Sequence, residues 1–394
     1  MRSRKFFVRT GAVLVAAAAT ATAVVVTVQE QEAAVAPASA TAGADLSGPA
    51  GALLQERVNK VRTDHKLPGM IGMVRSGDSY RYASTGWNDQ FRRIPADPKS
   101  QFRIFSNTKA FTATVLLQLE AEGKLSMNDT VDRWLPGLVN AGGNDGKQIT
   151  IRQLLNHSSG LPDYINDIPT SLEYVADLNP YRKLDPRHLV KIAMSKGQIG
   201  PPGAQYFYSN ANYHLAGLII QAATGRHPSA EVTDRIIKPL GLSNTTYPES
   251  DPKLYGNWMH GYFLSLRDIS FSNVTYLGPG GAIVSTQDDL ANFTRALATG
   301  KLLPPAQQKQ MMTPFSAEKA AGLGVMLKPT RCGPALWHNG AGLGYFSQWF
   351  TSPDGKHQSV VATNSYNFVP ELSKGTTEAT FKAAEDGFCA LKGQ

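Results

Sequence analysis

Hydrophobic residues change their spacing four times along this chain. Between Ala50 and Thr63, Leu53, Leu54, Val58 and Val61 recur three to four apart, which predicts a helix with one inward face, and Pro68-Gly69 ends that unit. Two short runs, Met70 to Arg75 and Tyr80 to Trp87, read as strands of a hairpin turned by Ser76-Gly77-Asp78. From Asn107 to Glu122 the apolar positions Phe111, Val115, Leu116 and Leu119 return to helical spacing, and Gly123 supplies a stop. Residues 125–285 then mix helical stretches with loops rich in Pro, Gly and Asn. Toward the C-terminus, Gly324 to Lys328, Ala335 to Trp337, Tyr345 to Thr351 and Ser359 to Thr363 are short strand candidates, followed by a helix from Thr376 to Ala390.

A two-stranded hairpin is too small to be stable by itself. The simplest closure joins it to the C-terminal strands in one antiparallel sheet of five or more strands flanked by helices. The predicted fold is therefore α/β of the α+β type, a domain over residues 50–394 with a mostly helical lobe, 125–285, inserted between the two parts of the sheet.

The start of the chain has a different character. Arg2, Arg4, Lys5 and Arg9 precede an uncharged Ala/Val-rich stretch from Gly11 to Val28, the composition of an export signal. Ala38-Ser39-Ala40 predicts cleavage before Thr41, with Ala34-Val35-Ala36 a competing site and an uncleaved membrane anchor the alternative. Residues 1–40 are thus expected to be a signal peptide, 41–49 a flexible leader, and the protein secreted. The whole chain of 394 residues carries a net charge of +8, which suits solubility and also an anionic cell-wall polymer. Its Lys and Arg residues are scattered and accompany no recognised module, which argues against nucleic-acid binding. The two cysteines, Cys332 and Cys389, would meet an oxidising compartment after export and are expected to pair, tying a C-terminal helix to a strand.

Candidate chemistry begins at Ser106-Asn107-Thr108-Lys109, where a spacing of three puts a hydroxyl and an amine on one helical face. A serine hydroxyl needs a neighbouring base, and a lysine serves if desolvation lowers its pKa. Ser316-Ala317-Glu318-Lys319 has the same spacing but lies in a polar stretch, whereas Ser106 opens an apolar helix. Tyr208-Ser209-Asn210 offers a phenol that relays protons, or acts as base if cations lower its pKa, and an amide that positions a carbonyl or the lysine. Tyr164-Ile165-Asn166 and Tyr255-Gly256-Asn257 repeat the spacing, so packing is the default for each alone. His338-Asn339-Gly340 ends a strand candidate before Ala341. Glycine there lets a substrate approach the main chain, and the Ala341 N–H is placed to join the Ser106 N–H as a second oxyanion donor. The eight histidines show no metal-ligand spacing, and a nucleophile with its own bases needs neither metal nor cofactor.

Taken in order, Ser-x-x-Lys, Tyr-x-Asn and His-x-Gly resemble the triple signature of the serine β-lactamase and D-alanyl-D-alanine carboxypeptidase superfamily. The resemblance extends through Leu154 to Leu161, Tyr208 to Gly217 and Gly280 to Thr286, and covers nearly everything from Asp45 to Cys389. The closest likeness is to secreted actinobacterial D-Ala-D-Ala carboxypeptidases, which carry a cysteine pair in the positions of Cys332 and Cys389. It implies Ser106 as nucleophile, Lys109 and Tyr208 as proton handlers, Asn210 positioning substrate or lysine, and His338 supporting Tyr208. His157 reads as structural, and Tyr276 as an aromatic lining the cleft or as core. Where such carboxypeptidases carry hydroxyl residues and an arginine to hold the peptide's terminal carboxylate, this chain has Asn339, Ala341 and Met326; Lys328, two residues on, is the candidate replacement charge. Substrates left open are a small D-amino-acid peptide or amide, an ester or a β-lactam, with cell-wall peptidoglycan as the larger partner. A penicillin-binding sensor with little turnover is the non-enzymatic alternative, and a monomer is expected.

Overall fold

Met70, Gly72 and Val74 alternate with Ile71 and Met73 along the first strand, and both sets are buried, so this strand has a packed layer on each face. The computed structural model describes residues 48–316, 320–327, 329–367 and 370–393. The expected export signal, most of the leader, Lys328 and the last three residues of the Ser316 motif lie outside them.

Helix α1 (Pro49–Asp64) precedes the hairpin β1 (Gly69–Ser76) and β2 (Ser79–Asp89), which leads to a short β3 (Ile94–Pro95). The hairpin closes through Gly77-Asp78, with Ser76 opposite Ser79 and Gly77 at φ 62°, a conformation that favours glycine. After α2 (Thr108–Ala121) come α3 (Ile168–Ala176), α4 (Pro186–Met194), α5 (Ala211–Thr224), α6 (Gln287–Ala298) and α7 (Pro305–Met311). The chain then returns to the sheet as β4 (Leu336–Gly342), β5 (Tyr345–Thr351) and β6 (His357–Thr363), and ends in α8 (Pro370–Ala390). The sheet has six antiparallel strands in the order β3-β2-β1-β6-β5-β4. Pairing of β1 with β6, Met70 opposite Thr363, is the closure expected from the isolated hairpin.

One face of the sheet packs against α1 and α8, where Leu54, Val58, Met70, Val74, Phe350 and Phe388 share a core. The other face packs on the helix-rich segment through Ile71, Met73 and Trp349, in a larger core that includes α2 and α5. Helix α5 is buried throughout residues 211–220. Among the described residues no helix is long and apolar enough to cross a membrane.

Two sequence expectations are corrected. Residues 324–327 form no strand: Gly324 is pressed against α2, where an added Cβ would stand 2.9 Å from the Lys109 carbonyl, and only Met326 bridges to Trp337. The strand starting near Ala335 instead runs to Gly342. The segment between the sheet halves also carries two short pairs, Phe102–Arg103 with Val284–Ser285 and Tyr262–Phe263 with Arg267–Asp268, too short to show a period of two.

Cys332 and Cys389 form a disulfide, Cα–Cα 5.5 Å, that joins the segment before β4 to the end of α8. Closing 57 residues restricts the unfolded chain by about 4 kcal/mol in the loop-entropy account. Replacing both cysteines by serine is expected to lower the unfolding free energy by roughly that amount, read from denaturant midpoints, and to leave the kinetic constants of the site unchanged.

Candidate active site

Ser106 occupies a 3-10 turn, Phe105–Asn107, that runs directly into α2. Phe105 is held at φ 42°, a left-handed conformation that costs a residue with a side chain on the order of 1–3 kcal/mol. Asn107, fully buried, holds the turn in place: its Nδ2 donates to the Ile104 carbonyl and the Ser347 hydroxyl, both at 2.9 Å, and its Oδ1 accepts from the Trp349 indole at 2.9 Å. The Ser106 turn is thereby tied to β5.

One helical turn on, Lys109 is buried and its Nζ lies 3.1 Å from Ser106 Oγ, 2.9 Å from Asn210 Oδ1 and 2.8 Å from the Gly280 carbonyl. Burial lowers its pKa from 10.5 to about 7, against the opposing pull of the Asp163 carboxylate. A neutral amine has two N–H donors and one lone pair. Asn210 Oδ1 and the Gly280 carbonyl can only accept, so they take both donors and leave the lone pair directed at the Ser106 hydroxyl.

The Tyr208 hydroxyl donates to the same Ser106 Oγ at 2.9 Å. Although 39% of the Tyr208 surface is exposed, its hydroxyl faces Ser106 in the cleft, and burial raises its pKa well above the ordinary phenol value. That direction favours the proton-relaying phenol over the cation-activated base among the two roles considered from the sequence. Its ring stacks on His157, centroids 4.2 Å apart and planes 25° apart. His157 Nδ1 accepts from the Ser209 amide at 3.2 Å and lies 3.3 Å from Asn212 Nδ2, so this imidazole holds the loop and the ring together.

Asn210 is aimed by Asp163, which sequence reasoning did not single out. The Asp163 carboxylate accepts from the Asn210 backbone N–H at 3.0 Å and from its side-chain Nδ2 at 2.9 Å, which turns Oδ1 of the amide toward Lys109. Burial raises the Asp163 pKa, opposed by these N–H donors and by Lys109.

Strand β4 is the free edge of the sheet, and its alternation decides which N–H groups face outward. Trp337 exchanges hydrogen bonds with Met326 on the side away from β5, so by the period of two Asn339 and Ala341 also direct their backbone groups off the sheet. There β4 meets the Ser106 turn. A Cβ on Gly340 would stand 1.9 Å from the Ile104 carbonyl oxygen and 2.8 Å from Asn107 Nδ2. Only glycine allows this approach, and Ser106 and Ala341 line the same cleft. Gly340→Ala is expected to push the edge away and lower kcat/KM by about 100-fold, the scale of an ångström-sized misplacement at a reacting centre; steady-state kinetics beside a folded circular-dichroism spectrum check it.

The cleft over Ser106 has a volume of about 540 Å³ and is lined by polar Asp163, Asn210 and Asn339 and by Ala341, Ile165, Val175, Leu277 and Tyr366. The three motifs thus meet at one place. The chain matches the Beta-lactamase family over residues 52–382. It belongs to that family. Among relatives of this serine-hydrolase family, it is 26% identical to penicillin-binding protein 4* of Bacillus subtilis over 353 residues, 84% of this chain and 74% of that protein. It is 34% identical to protein flp of Staphylococcus aureus over 188 residues, which spans only 36% of that protein. Among solved structures it superposes on a D-stereospecific amidohydrolase from a Streptomyces species with a TM-score of 0.76 and 33% identity, covering 84% of this chain and 98% of the other. The D-amino acid amidase of Ochrobactrum anthropi SV3, complexed with L-phenylalanine, follows with a TM-score of 0.71 and 25% identity over 86% and 98% of the two chains.

Other residues drawn from the family likeness fall differently. His338 Nδ1 lies 2.6 Å from the Asn339 carbonyl, a hydrogen bond that steadies the β4 backbone, while the Tyr208 ring is backed by His157. Tyr276 does not line the cleft. It is fully buried behind it, stacked on Tyr174 at 3.9 Å, with its hydroxyl 3.0 Å from Ser171 Oγ, because a flat ring between two other tyrosines completes the core. The competing motifs separate as well: the Tyr164 hydroxyl is buried against the Tyr276 carbonyl, and that of Tyr255 donates to Asp251 on the surface. Among the described residues no cluster of three or more His, Cys, Asp or Glu side chains is arranged to hold a metal ion.

Proposed function

We propose that this protein is a D-amino-acid peptidase or amidase that works through an acyl-enzyme on Ser106. The observation that carries the reading is the convergence of Lys109 Nζ and Tyr208 OH on Ser106 Oγ at 3.1 and 2.9 Å. In this scheme Oγ bonds to the substrate carbonyl carbon while its proton passes to the Lys109 lone pair. The carbonyl oxygen, now carrying the electron pair, is held by the Ser106 and Ala341 N–H groups. Tyr208 gives its proton to the departing amine nitrogen as the C–N bond breaks, and the proton held by Lys109 then restores the phenol. Water repeats the sequence on the ester, releasing the acid and restoring the hydroxyl.

The cleft favours an amide or a peptide entering acyl side first over a strict D-Ala-D-Ala carboxypeptidase substrate. Its described lining carries no arginine or lysine, and Lys109 beneath it is committed to Ser106, Asn210 and Gly280. Among the described lining residues a terminal carboxylate meets no counter-charge, whereas Ile165, Val175 and Leu277 suit an apolar side chain. The names of the two structural relatives, a D-stereospecific amidohydrolase and a D-amino acid amidase, support the same substrate class. The sequence at the start of the chain supports export, which would bring the site to peptidoglycan-type peptides.

The test is a substrate panel on purified protein: D- and L-phenylalanine amide, a D-Ala-D-Ala-ended peptide, a short acyl ester and a chromogenic cephalosporin. Release of ammonia from the D-amide at least about tenfold faster than from the L-amide is expected. Fast turnover of the ester or the cephalosporin with no amide cleavage would replace this reading by an esterase or a β-lactamase. Stable stoichiometric labelling by a fluorescent penicillin, with no substrate turned over, would make it a sensor.

A further inference from the structure

A second pocket, of about 270 Å³, lies behind the elements that hold Lys109. Leu184, Leu218, Pro228 and Pro279 give it apolar walls, and His214 and Tyr247 line it as well. His214 Nδ1 and the Tyr247 hydroxyl are buried and make no hydrogen bond among the described residues, while the two side chains are 1% and 8% exposed.

The polarity of His214 follows from its other nitrogen. Nε2 lies 3.2 Å from the Tyr276 carbonyl oxygen, which can only accept, and 3.2 Å from the Tyr164 hydroxyl, so Nε2 carries the proton and Nδ1 is a bare acceptor. Burial keeps the ring neutral, with a pKa lowered to about 4. Nδ1 therefore calls for an O–H or N–H donor, and the Tyr247 hydroxyl can meet a group of either sense. At the mouth, Asp185 and Glu249 stand beside Arg187 and His227, so neither sign of charge is preferred.

The pocket also shares its walls with the catalytic network. His214 lies one turn beyond Asn210 on α5, and Asn210 accepts from Lys109. Gly278 and Pro279 line the pocket two residues or fewer before Gly280, whose carbonyl is the other acceptor for Lys109. An added Cβ on Gly278 would stand 3.1 Å from His214 Cε1, so the turn and the ring are in contact.

We propose that this pocket is a second ligand site, separate from the cleft over Ser106, for a small neutral molecule with an apolar body and a hydroxyl that donates to His214 Nδ1, and that its occupancy alters turnover through the turn at Gly278 and helix α5. The probe is 4-methylphenol, with 4-methylanisole as the same shape lacking the donor. Calorimetric titration of the purified protein is expected to give a dissociation constant of about 1 mM or tighter for the phenol. Binding at least about tenfold weaker is expected for the anisole, and for the phenol with Gln221→Trp, which blocks the mouth from an exposed position. Saturating phenol is expected to change hydrolysis of a 4-nitrophenyl ester by about twofold or more in the wild type, but not in Gln221→Trp. No binding up to about 10 mM, equal affinity for phenol and anisole, or affinity untouched by Gln221→Trp overturns the site. Binding that leaves ester hydrolysis unchanged overturns its link to Lys109. Because ester cleavage is read in both proteins, these outcomes are independent of whether D-amides are the substrate.

Discussion

Ser106→Ala is expected to abolish hydrolysis, with kcat reduced by roughly 10⁴- to 10⁶-fold and only the background of substrate binding and oxyanion donors remaining. The loss is of this size because the hydroxyl is the one atom common to both proton handlers. Oγ takes the Tyr208 hydrogen bond and faces the Lys109 lone pair, so removing it leaves the amine and the phenol with nothing to pass a proton to. The fold should be indifferent to the change. Ser106 is partly exposed at the bottom of the cleft, its side chain fills no core space, and the turn is held by Asn107 rather than by the serine. The expected result is therefore an inactive protein with an unchanged melting temperature and, by mass spectrometry, no covalent adduct after exposure to a β-lactam or an activated ester. Turnover at the wild-type rate would mean that the nucleophile is water or another side chain.

What was legible in advance follows from how far each signal reaches. The hairpin, α1, α2 and the C-terminal strands rest on local periodicity, which a run of seven or more residues displays. The closure of β1 on β6 was also accessible, because a hairpin with two buried faces must find partners. The 324–327 segment misled because a glycine pressed against α2, Gly324, looks in composition like the start of a strand while following contact rather than period. The three motifs could be placed at the site because each has a short spacing, and the combination separates Tyr208 from Tyr164 and Tyr255 where the spacing alone does not. Asp163 and Asn107 were not visible. Their partners are 47 and up to 242 residues away, and an Asp or Asn in a loop looks like turn chemistry until the fold brings its acceptor or donor alongside. Tyr276 stayed open between cleft and core for the opposite reason: an aromatic residue carries the same letter whether it lines a cleft or fills a core.

The pH profile of kcat/KM is expected to have a single acidic limb, rising tenfold per unit up to about pH 7 and then level, and that limb belongs to Lys109. The sign follows from the role. Lys109 receives a proton only while it is neutral, so activity is present above its folded pKa and is lost as pH falls through it. Histidines are the usual source of a limb in this range. Here burial holds His338 and His214 near pKa 4 and His157 well below its ordinary value, so none of the three titrates where the limb is expected. Two variants separate the lysine from any other group. Lys109→Arg places a permanent cation where a base is needed and should cost about 10³-fold or more at every pH, erasing the limb. Asp163→Asn removes the negative charge that raises the Lys109 pKa, so the limb should move to lower pH while any activity lost through looser aim of Asn210 appears as a uniform drop. A limb that stays in place in Asp163→Asn, or persists in Lys109→Arg, would show that the proton is taken by a different group.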